Sequence, residues 1–175
     1  MHPKEIRRAT VALIVLVALT GCGYHFKGAG LKAPVGVRAI AITMLENRTS
    51  ESGIETVFTS DLAYEFTRSK VLRVVGKDTA DAVLSGRIAS LTVDTISHTA
   101  RYYSDERRVT ITLDLALKRA DGNAIIWSDS ALSDKEAFKV DPLDKLATEK
   151  SRRTAIEAIS ERLAEKIHNR ILQDF

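Results

Sequence analysis

The sequence holds a single thiol. Cys22 is the only cysteine among 175 residues, and it directly follows an apolar run in "LVALTGCGYHF". With no second cysteine there is no intrachain disulfide, so its chemistry must be of another kind. The histidines offer little. His25 lies just past Cys22, His98 falls in a polar loop, and His168 is expected on the polar side of a C-terminal helix. No H-x-x-x-H pair or cysteine cluster supplies metal-ligand spacing, so no metal is expected. There is no G-x-S-x-G elbow, Walker loop or G-x-G-x-x-G, and the carboxylates are scattered. The expectation is a non-enzyme with no catalytic residues and no cofactor.

Clustered cations are the other chemical feature. Arg101, Arg107 and Arg108 flank a loop that also holds Tyr102 and Tyr103. Lys135 and Lys139 come later, near the end of a second extended run. If residues 98–107 turn the chain between two paired strands, Lys135 and Lys139 fall near the same end of the sheet. Guanidinium forks and ammonium groups suit phosphate-bearing ligands. Tyrosines suit an interface with lipid or protein. The alternative is a solvated hairpin tip whose cations pair with Asp105, Glu106 and Glu136.

The surroundings of Cys22 explain its isolation. "MHPKEIRR" is basic, "ATVALIVLVAL" is apolar over about eleven residues, and Thr20 and Gly21 are small. That order describes a secretory signal peptide over residues 1–21. The apolar run is shorter than the roughly 20 residues a membrane-spanning helix needs. "LTGC" resembles a bacterial lipobox. The resemblance implies cleavage before Cys22, with a diacylglyceryl group on its sulfur and an acyl group on the new N-terminus. Several acyl chains on one residue exceed the two-signal threshold for stable anchoring. Gly23, where an inner-membrane retention signal would place Asp, points to the outer membrane.

Removing residues 1–21 takes Lys4, Arg7 and Arg8 from 26 basic residues and Glu5 from 23 acidic ones, so the net charge falls from +3 to +1. A nucleic-acid partner is disfavoured at that charge. Residues 22–36, Gly-rich and containing Pro34, read as a lipidated N-terminus and tether. Residues 37–175 are long enough for one domain.

Within that domain, "VRAIAITML" reads as a strand. Ser52 and Glu55 have capping-box spacing before a helix over about 53–69, with Ile54, Phe58, Leu62 and Phe66 on one face. "VLRVV" is a short strand. Residues 82–98 form a long strand whose apolar parity switches between Leu84/Ile88 and Leu91/Val93, which requires a bulge near Ala89–Ser90. Val109 to Leu117 alternate cleanly, and Asp121-Gly122 turns the chain into a returning strand. Asp141 and Pro142 are placed to open a last helix, with Ile156, Ile159, Leu163, Ile167 and Ile171 on its apolar stripe. The expected fold is α+β: a two-layer sandwich, with a mixed or antiparallel sheet of four to five strands and two helices on one face.

The segments "CGYHF", "AIAITMLENRTSESGIE", "ADAVLSGRIASL", "ERRVTITLDLAL" and the following "G…IIWS" cover most of residues 22–130. On them the chain resembles the LptE family of lipopolysaccharide-assembly lipoproteins. C-G-Y-H and A-D-x-x-L-x-G-x-I are the most specific of these motifs. The resemblance implies an outer-membrane lipoprotein on the periplasmic side, seated as plug and assembly partner inside the LptD β-barrel. It further implies help in delivering lipopolysaccharide to the outer leaflet, with the glycolipid held by basic residues at one end of the sheet. Arg101 and Lys139 are the nearest matches, followed by Arg107 and Arg108. The competing expectation is an outer-membrane lipoprotein that activates a peptidoglycan synthase. A tether of about 14 residues is short for that task.

Overall fold

A computed structural model of the chain describes residues 32–97, 105–122 and 124–173. The expected signal peptide, Cys22, and Arg101 with the rest of residues 98–104 lie outside the described residues. In chain order the elements are β1 (Ala39–Ile42), β2 (Glu46–Asn47), α1 (Ile54–Ser69), β3 (Arg73–Val74), a 3₁₀ turn (Lys77–Thr79), β4 (Ala82–Ser97), β5 (Asp105–Arg119), β6 (Ile125–Val140) and α2 (Lys145–Gln173). One mixed sheet runs β3-β1-β4-β5-β6, and β2 adds to β4. The β3-β1-β4 part is parallel, and β4-β5-β6 is antiparallel. The architecture is the expected two-layer α+β sandwich. The strand count is six rather than four to five, because Glu46–Asn47 forms a two-residue strand between the first expected strand and the first helix.

The helices cover one face of the sheet. Alternation on β5 places Val109, Ile111, Leu113, Leu115 and Leu117 inward, all buried. Leu84 and Ile88 of β4 and Trp127, Leu132 and Phe138 of β6 join them. α1 adds Ile54, Phe58, Leu62 and Phe66, four residues apart and all buried. The parity switch in β4 is accommodated as expected. Ile88 pairs with Leu113 and Ser90 with Thr112, so Ala89 is an extra residue that returns Leu91 to the inner face opposite Ile111.

Three local expectations need correction. Gly53, not Ser52, precedes α1, in the left-handed region at φ 88°, and makes no side-chain cap. Only half of the capping box forms: the Gly53 amide donates to Glu55 Oε2 at 3.1 Å, which also accepts from Asn47 Nδ2 at 2.8 Å. The last helix opens at Asp144 rather than Asp141. Asp144 Oδ1 accepts the Ala147 amide at 3.0 Å, while Asp141 Oδ1 accepts from Leu143 and so caps the preceding turn. His168 is buried rather than polar-facing, with its ring edge-on to Phe66 at 5.1 Å between centroids. The buried stripe of α2 is wider than one spacing series, because this helix packs on both the sheet and α1.

The A-D-x-x-L-x-G-x-I motif has a structural account. Asp81 Oδ2 accepts the amides of Arg38 at 2.8 Å and Ala39 at 2.9 Å, tying the start of β1 to the start of β4. Leu84 and Ile88 enter the core. Gly86 lies where β5 approaches most closely: a Cβ there would sit 2.1 Å from the Asp114 carbonyl oxygen. Gly86→Ala is therefore expected to cost about 3 kcal/mol, read as a lower urea midpoint with unchanged m-value.

The same motif has a pH signature. The two backbone amides hold the Asp81 carboxyl below its ordinary value. A depressed folded-state pKa stabilises above the unfolded value, and the contribution disappears as pH falls through the folded one. Wild type is expected to exceed Asp81→Asn in unfolding midpoint at neutral pH. The gap should close as pH drops below the ordinary Asp value of about 3.9. A gap that stays constant into acid would refute the assignment.

Candidate functional site

The far ends of β4, β5 and β6 form the tip that carries the clustered cations. Register decides which side chains share a face. Glu106 pairs with Lys139, Arg107 with Phe138 and Arg108 with Ala137 on β6. Across β4, Arg108 faces Asp94 and Arg107 faces Thr95. Arg107 therefore shares parity with buried Val109 and lies on the helix-covered side of the sheet. Arg108, Glu106 and Lys139 lie on the open side, with Lys135 further along, opposite Thr110.

Arg108 and Lys139 are diagonal neighbours on this open face, a separation of about 7–8 Å between Cα atoms. The fold thus brings two of the expected cations together. It sets Arg107 on the opposite face. Arg101 falls outside the described residues. Acidic partners alternate with the cations: Glu106 is directly across from Lys139, and Asp94 from Arg108. An anionic ligand at this tip competes with those two carboxylates.

Two features at the tip were not anticipated. The β6–α2 turn holds Leu143 and Leu146 in solvent, 94% and 83% exposed. Asp141 and Asp144 fix this turn through backbone amides, and Thr148 Oγ1 accepts the Asp141 amide at 2.9 Å. Beside it, a cavity of about 430 Å³ opens between β6 and the first half of α2. Phe138, Lys139, Ala147, Lys150, Ser151 and Thr154 line it. The small residues of "ATEKSRRTAIEA" at four-residue spacing were a readable sign of such a groove.

The rest of the open face is polar, half-buried along β5 and largely exposed on β6. Thr110, Thr112, Asp114, Ala116 and Lys118 alternate along β5, with Ser128 of β6 beside Ala116. Arg87 Nε and Nη2 both donate to Asp114 Oδ2, at 2.9 and 2.7 Å. On the helix side, β6 carries acids. Arg162 of α2 bridges Asp134 at 2.7 Å and Glu136 at 2.9 Å, and Arg170 pairs with Asp129. The hydrogen bond that Arg162 donates to Asp134, with the charges of Asp134 and Glu136, raises the Arg162 guanidinium further above its usual value. Among the described residues no cluster of His, Cys, Asp and Glu is placed to hold a metal ion. No helix among them is long and apolar enough to cross a membrane.

Arg162→Ala should loosen β6 locally. Amide exchange is expected to accelerate at residues 133–137 and stay unchanged in β4, with a global loss of no more than about 1 kcal/mol for this half-exposed pair.

The fold has solved relatives. A lipoprotein B from Nitrosomonas europaea superposes with a TM-score of 0.56 at 16% identity, over 86% of this chain and 90% of that one. A protein from Xanthomonas campestris gives 0.50 at 10% identity, over 81% and 90%. Identities this low establish a shared fold and nothing further. No curated protein matches the sequence. A family model described as "LptE: Lipopolysaccharide-assembly" matches residues 37–171. That span runs from the start of β1 through most of α2, so it takes in the whole sheet and both helices: the chain belongs to the LptE lipopolysaccharide-assembly family.

Proposed function

We propose that this chain is an outer-membrane lipoprotein, acylated on Cys22, that plugs and helps assemble an LptD-type β-barrel and assists lipopolysaccharide delivery to the outer leaflet. The carrying observation is the open face of β4-β5-β6, which presents Thr, Ser and charged side chains and has no helix of the described residues over it. A barrel lumen is polar, and a polar sheet face meets it without stranding apolar surface. Arg108 and Lys139 on that face, together with Arg101, engage the phosphates of lipid A. Arg107, on the helix side of the tip, contributes from the other face. The role is one of binding and assembly, with no catalytic step. The family match lends no support to the peptidoglycan-synthase reading.

Two measurements test this. Tagged full-length protein, purified from detergent-solubilised envelopes, should carry a large barrel protein in one-to-one amount by mass spectrometry. A synthase in its place, or no partner, would overturn the plug reading. Charge reversal at Arg101 and Lys139 together, both to Glu, should weaken lipopolysaccharide binding about tenfold or more, with an unaltered circular dichroism spectrum. Unchanged affinity would remove the cation account.

A further inference from the structure

The opposite end of the sheet is also basic, and it is the end at which the chain joins the domain. β1, β3, the start of β4 and the end of β5 meet there. Arg38 and Arg73 flank Asp81. Lys77, Lys118 and Arg119 line a cavity of about 440 Å³ together with Asp78, Thr43 and Ser85. Asp78, Asp81 and Asp121 stand against these five cations, and the Asp81 carboxylate is occupied by two backbone amides. Arg38, Arg73 and Lys77 are exposed.

The N-terminal segment docks at this same end. The Lys32 amide donates to the Leu172 carbonyl at 3.1 Å, beside the end of α2. Arg119 Nη2 donates to the Val35 carbonyl at 2.6 Å, while the Val35 side chain is 83% exposed on its turn. Ten residues lead from Cys22 to Lys32, a leash of at most about 35 Å. The 16 residues of β4 extend about 53 Å. The leash is shorter than the sheet, so an anchor at Cys22 holds this end within about 35 Å of its leaflet and lets the tip project away from it.

We infer that the Arg38, Arg73, Lys77, Lys118 and Arg119 end rests on the phosphate-bearing headgroups of the leaflet that holds the anchor, with the Val35 turn set among them. The inference rests on acylation of Cys22. Anionic headgroups attract cations only within about a Debye length, roughly 8 Å at physiological salt, and the leash lets the patch reach that range. Guanidinium forks backed by hydroxyls suit phosphate oxygens. A basic patch also supplies a second signal beside an acyl anchor, fixing orientation as well as attachment.

The test uses the processed, acylated protein in nanodiscs of phosphatidylcholine, alone or mixed with phosphatidylglycerol. Acylation consumes the sole native thiol, so Val35→Cys or Leu143→Cys accepts a unique fluorophore. Quenching by a headgroup nitroxide lipid should be several-fold greater for the position 35 label in the anionic discs. It should fall in high salt and in Arg73→Glu/Lys77→Glu, whose changes are at exposed positions. The position 143 label should show little quenching in either disc. Equal quenching at position 35 in both disc types, or equal quenching at both positions, would overturn the headgroup contact. An intact mass without acyl groups on Cys22 would overturn the anchor reading, and the inference with it.

Discussion

The pairing of β4 with β5 governs every other placement in this molecule. Fourteen residue pairs hold the two strands in register, and a one-residue slip would turn the whole apolar row of β5 into solvent. Two devices fix that register. Gly86 allows the Asp114 carbonyl to approach closer than any side chain permits. Ala89 absorbs the parity switch, so that Leu84, Ile88 and Leu91 all face the helices. Through β5 the register passes to β6, and so determines that Arg108 and Lys139 share one face while Arg107 takes the other.

Much of this was legible before any coordinates. The bulge followed from parity alone, since a period-2 pattern cannot change face without an extra residue. The four-residue recurrence of Ile54, Phe58, Leu62 and Phe66 located α1 to within one residue. The convergence of Lys139 on the β4–β5 tip followed from the hairpin at Asp121-Gly122. What escaped was decided by competition between similar residues or by tertiary packing. Asp141 and Asp144 are both good caps, and sequence cannot rank them when the intervening Pro-Leu forms a turn of its own. His168 looked polar-facing because a single helical stripe was assumed. A helix wedged between a sheet and a second helix buries a wider arc. The split of Arg107 from Arg108 followed directly from alternation, yet grouping by chain proximity concealed it. Leu143 and Leu146 fit no period, so their exposure emerged only with the rigid turn beneath them.

The two ends of the sheet carry cations in different settings. At the tip they alternate with Asp94 and Glu106 on the open face, which favours a ligand able to displace weak cross-strand attraction. At the other end Arg38, Arg73, Lys77, Lys118 and Arg119 outnumber Asp78, Asp81 and Asp121, with Asp81 between Arg38 and Arg73. One sheet thereby presents two cation-bearing surfaces, with Arg108 and Arg119 eleven residues and so about 37 Å apart along β5.

The outer rim of β6 has a further consequence. It is the last strand of the sheet, 16 residues long, and a bare rim of that length invites another chain to extend it. Asp129, Asp134 and Glu136 sit on its inner side, clasped by Arg162 and Arg170, and Lys135 and Lys139 occupy its outer side. Two copies meeting rim to rim would bring these charged rows together and force their desolvation. The ion pairs that tie α2 to the sheet thus also discourage fibre-like self-association along this rim.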